Sequence, residues 1–296
     1  MTTIAPDHIG VDVRRLGGTI GAEVCGVDLR DELAPDTVAA LRRVWLDAKV
    51  VFFPGQSLSP AEQVAFARRF GQLTPAHPVV PGWLPEHPEV LVLDSARVGT
   101  IAEYAYVRER SRGEGWHTDV TFMATPPDGS VLAARTVPEV GGDTLWADTA
   151  AAYDALSPAL RRLVDGLTAE HDGAPTFGGF LAAGHTVEWD GRRHARLDPV
   201  VHPVVRTHPE TGRRSLFVNP GFTTRLVGLS RTESDGLLAL LYEHMTAPEF
   251  VVRHRWRAGD VAFWDNRSTL HYAVQDYGDA HRVMHRVTLR GTRPQP

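Results

Sequence analysis

The chain has 296 residues, 43 % of them apolar, enough to bury a substantial core in one large domain or two small ones. A formal net charge of −5 with no basic run or stripe excludes nucleic acid and anionic membrane surfaces as expected partners. The single cysteine, Cys25, excludes an internal disulfide and a Cys-rich zinc site, and it reads as a buried thiol in a reducing compartment. Residues 1–10 hold no apolar signal core and no run of about 18 apolar residues occurs anywhere, so a cytoplasmic protein is expected.

In chain order, residues 11–29 are punctuated by Gly17, Gly18, Gly21 and Gly26 and read as short strands joined by tight turns. Residues 37–48 follow Pro35-Asp36 and place Val38, Leu41, Val44 and Trp45 on one helical stripe, and residues 49–54 then read as a buried strand. A second helix begins at Ser59, with Pro60 in its first position and Glu62 spaced for a capping box, and ends near Gly71. Residues 90–94 form a strand inside a Pro/Gly-punctuated region, and the charged stretch 103–114 reads as a surface loop. Strands are expected from Gly129 and from Gly142, with a helix over 149–167. Residues 174–191, rich in Gly and small residues without a clear period, read as a lid insert.

Farther on, His208-Pro-Glu-Thr-Gly212 lies between two apolar runs as the turn of a hairpin. A helix is expected over 230–245 and strands over 249–256, 260–264 and 282–291. Short strands without a β-α-β rhythm make the chain mainly β with flanking helices, an antiparallel sandwich or barrel in a single domain over 1–296.

The chemistry centres on Gly115-Trp-His-Thr-Asp-Val-Thr-Phe122. If this is a strand, His117 and Asp119 point to one side and Thr118 to the other. Together they make two-thirds of a 2-His-1-carboxylate facial triad, which leaves positions open on a ferrous ion. The tripeptide alone is weak, because His87/Glu89 and His208/Glu210 repeat the spacing, although both of those enclose a proline that suits turns. A third donor lies far along the chain, in Trp264-Asp-Asn-Arg-Ser-Thr-Leu-His271-Tyr-Ala. Alone, His271 would read as a hydrogen-bonded core histidine. On the strand that follows, Arg282, Met284 and Arg286 share one face, and two inward arginines would need anions to neutralise them.

Taken together, W-H-T-D-V-T-F, G-G-D-T-L-W, W-D-N-R-x-x-x-H-Y-A and R-x-M-H-R resemble the taurine/2-oxoglutarate dioxygenase family of non-haem iron enzymes over nearly the whole chain. The resemblance implies a double-stranded β-helix (jelly-roll) core and Fe(II) bound by His117, Asp119 and His271. It also implies 2-oxoglutarate chelated to the iron with its C5 carboxylate on Arg282 and Thr144, and O2 as the oxidant. By the same resemblance Arg286 binds a sulfonate, with His77 near the substrate. Val120, Phe122, Phe177 and Phe222 match pocket-lining positions, although each suits an ordinary core equally well.

The implied reaction is hydroxylation of the carbon bearing sulfur in taurine or a related alkanesulfonate, with release of sulfite, an aldehyde, succinate and CO2. Homo-oligomers, dimers or tetramers, are expected by analogy. Two departures bear on the substrate. Gly113 stands where taurine enzymes have an asparagine that contacts the amine, and Val80 stands where they have a tyrosine. Losing such an amide weakens amine recognition by about 1 to 3 kcal/mol unless a neighbour replaces it. Alternatives are an alkylsulfatase or an aryloxyalkanoate dioxygenase of the same family and, from other classes, a jelly-roll zinc hydrolase or isomerase, or a non-catalytic anion-binding module.

Overall fold

The computed structural model describes residues 11–80, 82–98, 115–182, 184, 188–189, 191–193 and 196–296. The charged stretch 103–114, with Gly113, lies outside the described residues. The strands are β1 (Asp12–Arg15), β2 (Ala22–Cys25), β3 (Val50–Phe53), β4 (Leu91–Asp94), β5 (Gly129–Thr136), β6 (Thr144–Asp148), β7 (Thr168–His171), β8 (Glu188–Trp189) and β9 (Arg192–Arg193). They continue with β10 (Val200–Pro203), β11 (Val205–Thr207), β12 (Arg214–Leu216), β13 (Thr223–Leu226), β14 (Val251–His254), β15 (Val261–Asp265), β16 (Thr269–Ala273) and β17 (Val283–Leu289). The helices are α1 (Pro35–Ala48), α2 (Pro60–Arg68), α3 (Ser95–Val98), α4 (Thr149–Ala155), α5 (Pro158–Val164), α6 (Ala174–Ala182) and α7 (Arg231–Met245).

Among the described residues the largest sheet has seven strands in the order β1-β2-β3-β15-β5-β17-β4, antiparallel except where β2 meets β3. A three-stranded sheet, β14-β6-β16, is antiparallel throughout and supplies the opposing wall of the jelly roll. The central strands of the larger sheet are buried on both faces, which is why they read as continuous apolar runs rather than alternating ones. Val51, Phe53, Val131 and Phe263 pack outward with Leu41, Trp45 and Phe66 of α1 and α2. Their neighbours Val50, Phe52, Leu132, Trp264 and Met284 pack inward with Trp146 of the opposing sheet. Trp45 stacks on Phe263 with ring centroids 4.2 Å apart.

Caps set the helix ends. Ser59 and Ser230 each close a capping box, with Glu62 and Glu233 respectively. The single helix expected over 149–167 is two, because Pro158 cannot occupy a helix interior and the residue before it is pushed out of the helical region; Ser157 caps the second piece. The segment 174–191 carries a helix, α6, and the start of the β8–β9 hairpin, more regular structure than its composition indicated. Trp189 of that hairpin is 2 % exposed, packed in a cluster with Phe122 and Phe222. Cys25, expected to be buried, is exposed: Ala22 and Val24 take the inward side of β2, so alternation turns Glu23 and Cys25 outward. No helix among the described residues is long and apolar enough to cross a membrane.

Candidate metal centre and anion pocket

His117 does not lie in a strand. It forms one isolated antiparallel bridge, with His271 of β16, through His117 N–H to His271 O (3.0 Å) and His271 N–H to His117 O (2.8 Å). This pairing brings the two imidazole centroids to 4.1 Å. Immediately afterwards the chain turns, with Val120 at φ +55°, a costly conformation for a β-branched residue. Asp119 therefore reaches the histidines through a turn and not through strand alternation. The turn is held from behind: Asn219 Nδ2 donates to Thr121 Oγ1 (3.0 Å) and His202 Nε2 to Thr121 O (2.9 Å).

Ligand atoms of His117, Asp119 and His271 lie within 4.8 Å of one another, the one cluster of three such donors among the described residues. His117 Nδ1–H donates to Gly115 O (2.9 Å), so Nε2 is the nitrogen that would face a metal. Burial, and then the neighbouring His117, drive the His271 pKa well below its ordinary value, so that imidazole is neutral. Burial alone would raise the Asp119 carboxyl, but the Arg286 guanidinium, with help from the Ser130 hydroxyl, holds it down at about 2. Two imidazoles, that of His271 held neutral, and an ionised carboxylate are a donor set that fits a divalent first-row metal such as Fe(II), and three donors leave coordination positions open.

The cluster opens into a cavity of about 210 Å³ between the two sheets. Arg282 and Arg286, each 8 % exposed, line it with Thr144. Arg282 Nε donates to Gly142 O (3.2 Å), a carbonyl presented by a turn in which Gly141 and Gly142 both have positive φ; the G-G-D-T motif is therefore a conformational requirement. Thr144 Oγ1 accepts the Trp256 indole N–H (2.9 Å), so the hydroxyl keeps its own proton to donate elsewhere. Arg286 Nη1 contacts Asp119 Oδ1, while its Nε is buried without a hydrogen-bond partner among the described residues. His77 accepts the Val79 and Val80 N–H groups at Nδ1 (3.1 and 3.0 Å), which places its proton on Nε2; burial, assisted by Arg286, lowers its pKa to about 3.

Val80, Val120, Phe177 and Phe222 also line the cavity. Phe122 is not among the lining residues: it is 1 % exposed and stands behind them, 4.9 Å from the Phe222 ring and 5.2 Å from that of Phe177. Sequence reasoning passed over Ser130, which donates to Asp119 Oδ2 (2.6 Å), and Gly221, where a side chain would meet His117 Cβ at 2.8 Å. Tyr272 and Trp83 on the cavity wall were also passed over; the H-Y-A tripeptide was the available signal for Tyr272. The competing His208 is accounted for structurally. Its Nε2–H donates to Asp265 (2.8 Å) and its Nδ1 accepts the Glu210 and Thr211 N–H groups inside the hairpin turn.

Residues 12–288 match the taurine catabolism dioxygenase TauD, TfdA family. An alkylsulfatase from Acinetobacter baylyi is 41 % identical over 95 % of this chain and 85 % of its own length. An alpha-ketoglutarate-dependent sulfate ester dioxygenase from Pseudomonas putida is 40 % identical over 98 % of this chain and 93 % of its own. The crystal structure of a taurine dioxygenase from Burkholderia xenovorans superposes with a TM-score of 0.80 at 40 % identity, covering 97 % of this chain and 93 % of that one.

Proposed function

Because the chain belongs to the TauD, TfdA family of alpha-ketoglutarate (2-oxoglutarate)-dependent dioxygenases, we propose that it oxidises the carbon bearing a sulfate ester or sulfonate group on an alkyl chain. Bound through His117, Asp119 and His271, Fe(II) with 2-oxoglutarate and O2 would supply the oxidising power that replaces a C–H by C–OH, giving succinate and CO2. Arg282 and the Thr144 hydroxyl hold the distal carboxylate of 2-oxoglutarate, a planar fork and a further donor matched to two oxygens.

The observation that carries the substrate reading is Arg286. It is buried, and its contact is the same Asp119 oxygen that faces His271 (3.8 Å from its Nε2). A metal that takes this oxygen leaves Arg286 needing another anion, since a buried guanidinium without one is costly. His77 Nε2–H adds a neutral donor beside it. The sulfur oxyanion sits there, while the alkyl chain runs along Val80, Leu132, Phe177 and Phe222. The segment 174–191 acts as the lid, its Phe177 excluding water from the reacting carbon. Hydroxylation beside an ester oxygen produces an adduct that loses its hydroxyl proton and breaks the bond between that carbon and the ester oxygen, leaving an aldehyde and sulfate.

Two relatives at 40–41 % identity bear names referring to sulfate esters, which favours that substrate. Taurine or another sulfonate is the second reading, favoured by the taurine dioxygenase structure and by the indifference of an arginine to the two head groups. An ammonium group along the apolar wall, with Val80 in place of a tyrosine, would forgo about 1 to 3 kcal/mol of hydrogen bonding. The test measures sulfate, sulfite and succinate from hexyl sulfate, hexanesulfonate and taurine. The expected result is sulfate from hexyl sulfate at a kcat/KM at least tenfold above that for taurine, rising about fourfold per added methylene until the cavity is full. Turnover of taurine above both alkyl substrates would refute the apolar-chain reading.

A further inference from the structure

Asp119 holds its two oxygens in different surroundings. Oδ1 faces His271 and Arg286, whereas Oδ2 accepts the Ser130 hydroxyl at 2.6 Å. Ser130 Oγ in turn accepts Asn266 Nδ2 (2.8 Å), and Asn266 Oδ1 accepts Trp264 Nε1 (2.9 Å). Trp264, Asn266, Ser130 and Asp119 are each at most 2 % exposed, so no bulk solvent competes for these groups.

The direction of every hydrogen in this series follows from one end. An indole N–H can only donate, so the atom of Asn266 facing Trp264 is its carbonyl oxygen. That fixes the amide the other way round toward Ser130, where the NH2 group donates. The serine oxygen is thereby an acceptor on that side, and its own proton goes to the carboxylate, where an O–H···O⁻ bond is short and strong.

We propose that Trp264, Asn266 and Ser130 form a one-way relay that orients the Asp119 carboxylate, reserving Oδ2 and presenting Oδ1 alone to the metal. They are positioning residues, and the proposal rests on the reading of His117, Asp119 and His271 as the metal ligands. A carboxylate free to offer both oxygens would occupy two coordination positions and take one from 2-oxoglutarate or O2. The relay also divides the W-D-N-R segment into two tasks. Trp264 and Asn266 face the metal centre, while Asp265 and Arg267 pair with each other and hold the hairpin, Asp265 through His208 and Arg267 through Glu210. Trp264 serves both histidine and carboxylate, since its ring centroid lies 4.9 Å from that of His271.

The experiment is anaerobic titration of Fe(II)-loaded protein with 2-oxoglutarate, followed through the visible charge-transfer band, in the wild type, Ser130→Ala, Trp264→Phe and the double variant. Melting temperatures establish that each variant is folded. Ser130→Ala is expected to displace the band and to weaken 2-oxoglutarate binding about tenfold or more, the range typical of lost partners of metal ligands. Trp264→Phe, which loses the N–H but keeps a ring against His271, should act in the same direction. In the S130A background it should add nothing, because its effect passes through the serine hydroxyl. An unchanged band and affinity in Ser130→Ala overturns the proposal, as does a Trp264→Phe effect that persists in the S130A background and so arises from packing on His271. Absence of the band in the wild type would instead remove the metal assignment itself.

Discussion

Gly221 packs against His117, one of the proposed metal ligands, closely enough for one methyl group to test the centre. A Cβ built at this position lies 2.8 Å from His117 Cβ and 3.2 Å from Asn219 Oδ1. Carbon atoms in contact prefer about 3.5 to 4.0 Å, so Gly221→Ala must open the gap by roughly 0.7 Å. His117 Cβ cannot swing aside as the end of a long side chain would, because it is attached to main chain paired in both directions with His271. The imidazole must move with its backbone. Metal–ligand distances tolerate only about 0.2 Å, and overpacking of this kind costs about 1 to 3 kcal/mol. The expected outcome is a 10- to 100-fold loss of Fe(II) affinity with the fold retained, measured by anaerobic titration and thermal melting. Gly236→Ala, where nothing lies within 4 Å, is the control: it leaves iron binding unchanged and stabilises α7 by about 0.5 to 1 kcal/mol. Iron affinity of Gly221→Ala within twofold of wild type would refute the claim that this contact sets the position of His117.

Arg282→Gln should raise the KM for 2-oxoglutarate about 30-fold or more, and Thr144→Val about fivefold, at saturating substrate; an unchanged KM removes Arg282 from the co-substrate site. Stability of the metal-free protein should fall on acidification. His77 and His202 are buried neutral, mainly by desolvation, with pKa values lowered to about 3 and about 4. Between about pH 6.5, where the unfolded imidazoles begin to protonate, and those folded-state values, the unfolded state binds protons that the native state does not. Stability therefore rises with pH across this window, by up to about 1.4 kcal/mol per unit for each group, and the dependence is lost above it. Urea unfolding at pH 5 and pH 7 measures the difference, and equal stabilities would contradict the burial of neutral histidines.

The chemistry was legible in the sequence where a residue type has few other uses in its setting. Periodicity put Arg282 and Arg286 on one strand face without saying whether that face was inward; two inward arginines would need anions, and the structure turns both into the cavity. The capping box at Ser59 was readable because its determinants lie within four residues, whereas the one at Ser230 emerged only from the structure. What escaped depends on partners far along the chain. The strand expected around His117 is a single bridge, because Thr121 is held by Asn219 and His202 in a turn that local preference would not choose for Val120. Ser130 looked like one more small residue of β5; its importance comes from facing Asp119 and Asn266 together. Cys25, expected inside because a lone cysteine is usually buried, and Phe122, placed on the pocket wall by resemblance, differ for a related reason: what covers a residue is a tertiary fact.

The bridge between His117 and His271 also bears on how the protein would acquire and keep the proposed metal. Two of the three proposed ligands are juxtaposed by one pair of backbone hydrogen bonds joining the middle of the chain to its last strands, so a partly folded chain offers no such donor set. Metal binding energy would then be felt by the native state alone and would add directly to its stability, by about 2.7 kcal/mol when free metal is a hundred times its dissociation constant. The ion would act as a clasp on the topology as well as a reagent, and stripping it with a chelator should loosen the association of β16 with the turn that carries Asp119 before it unfolds the outer helices.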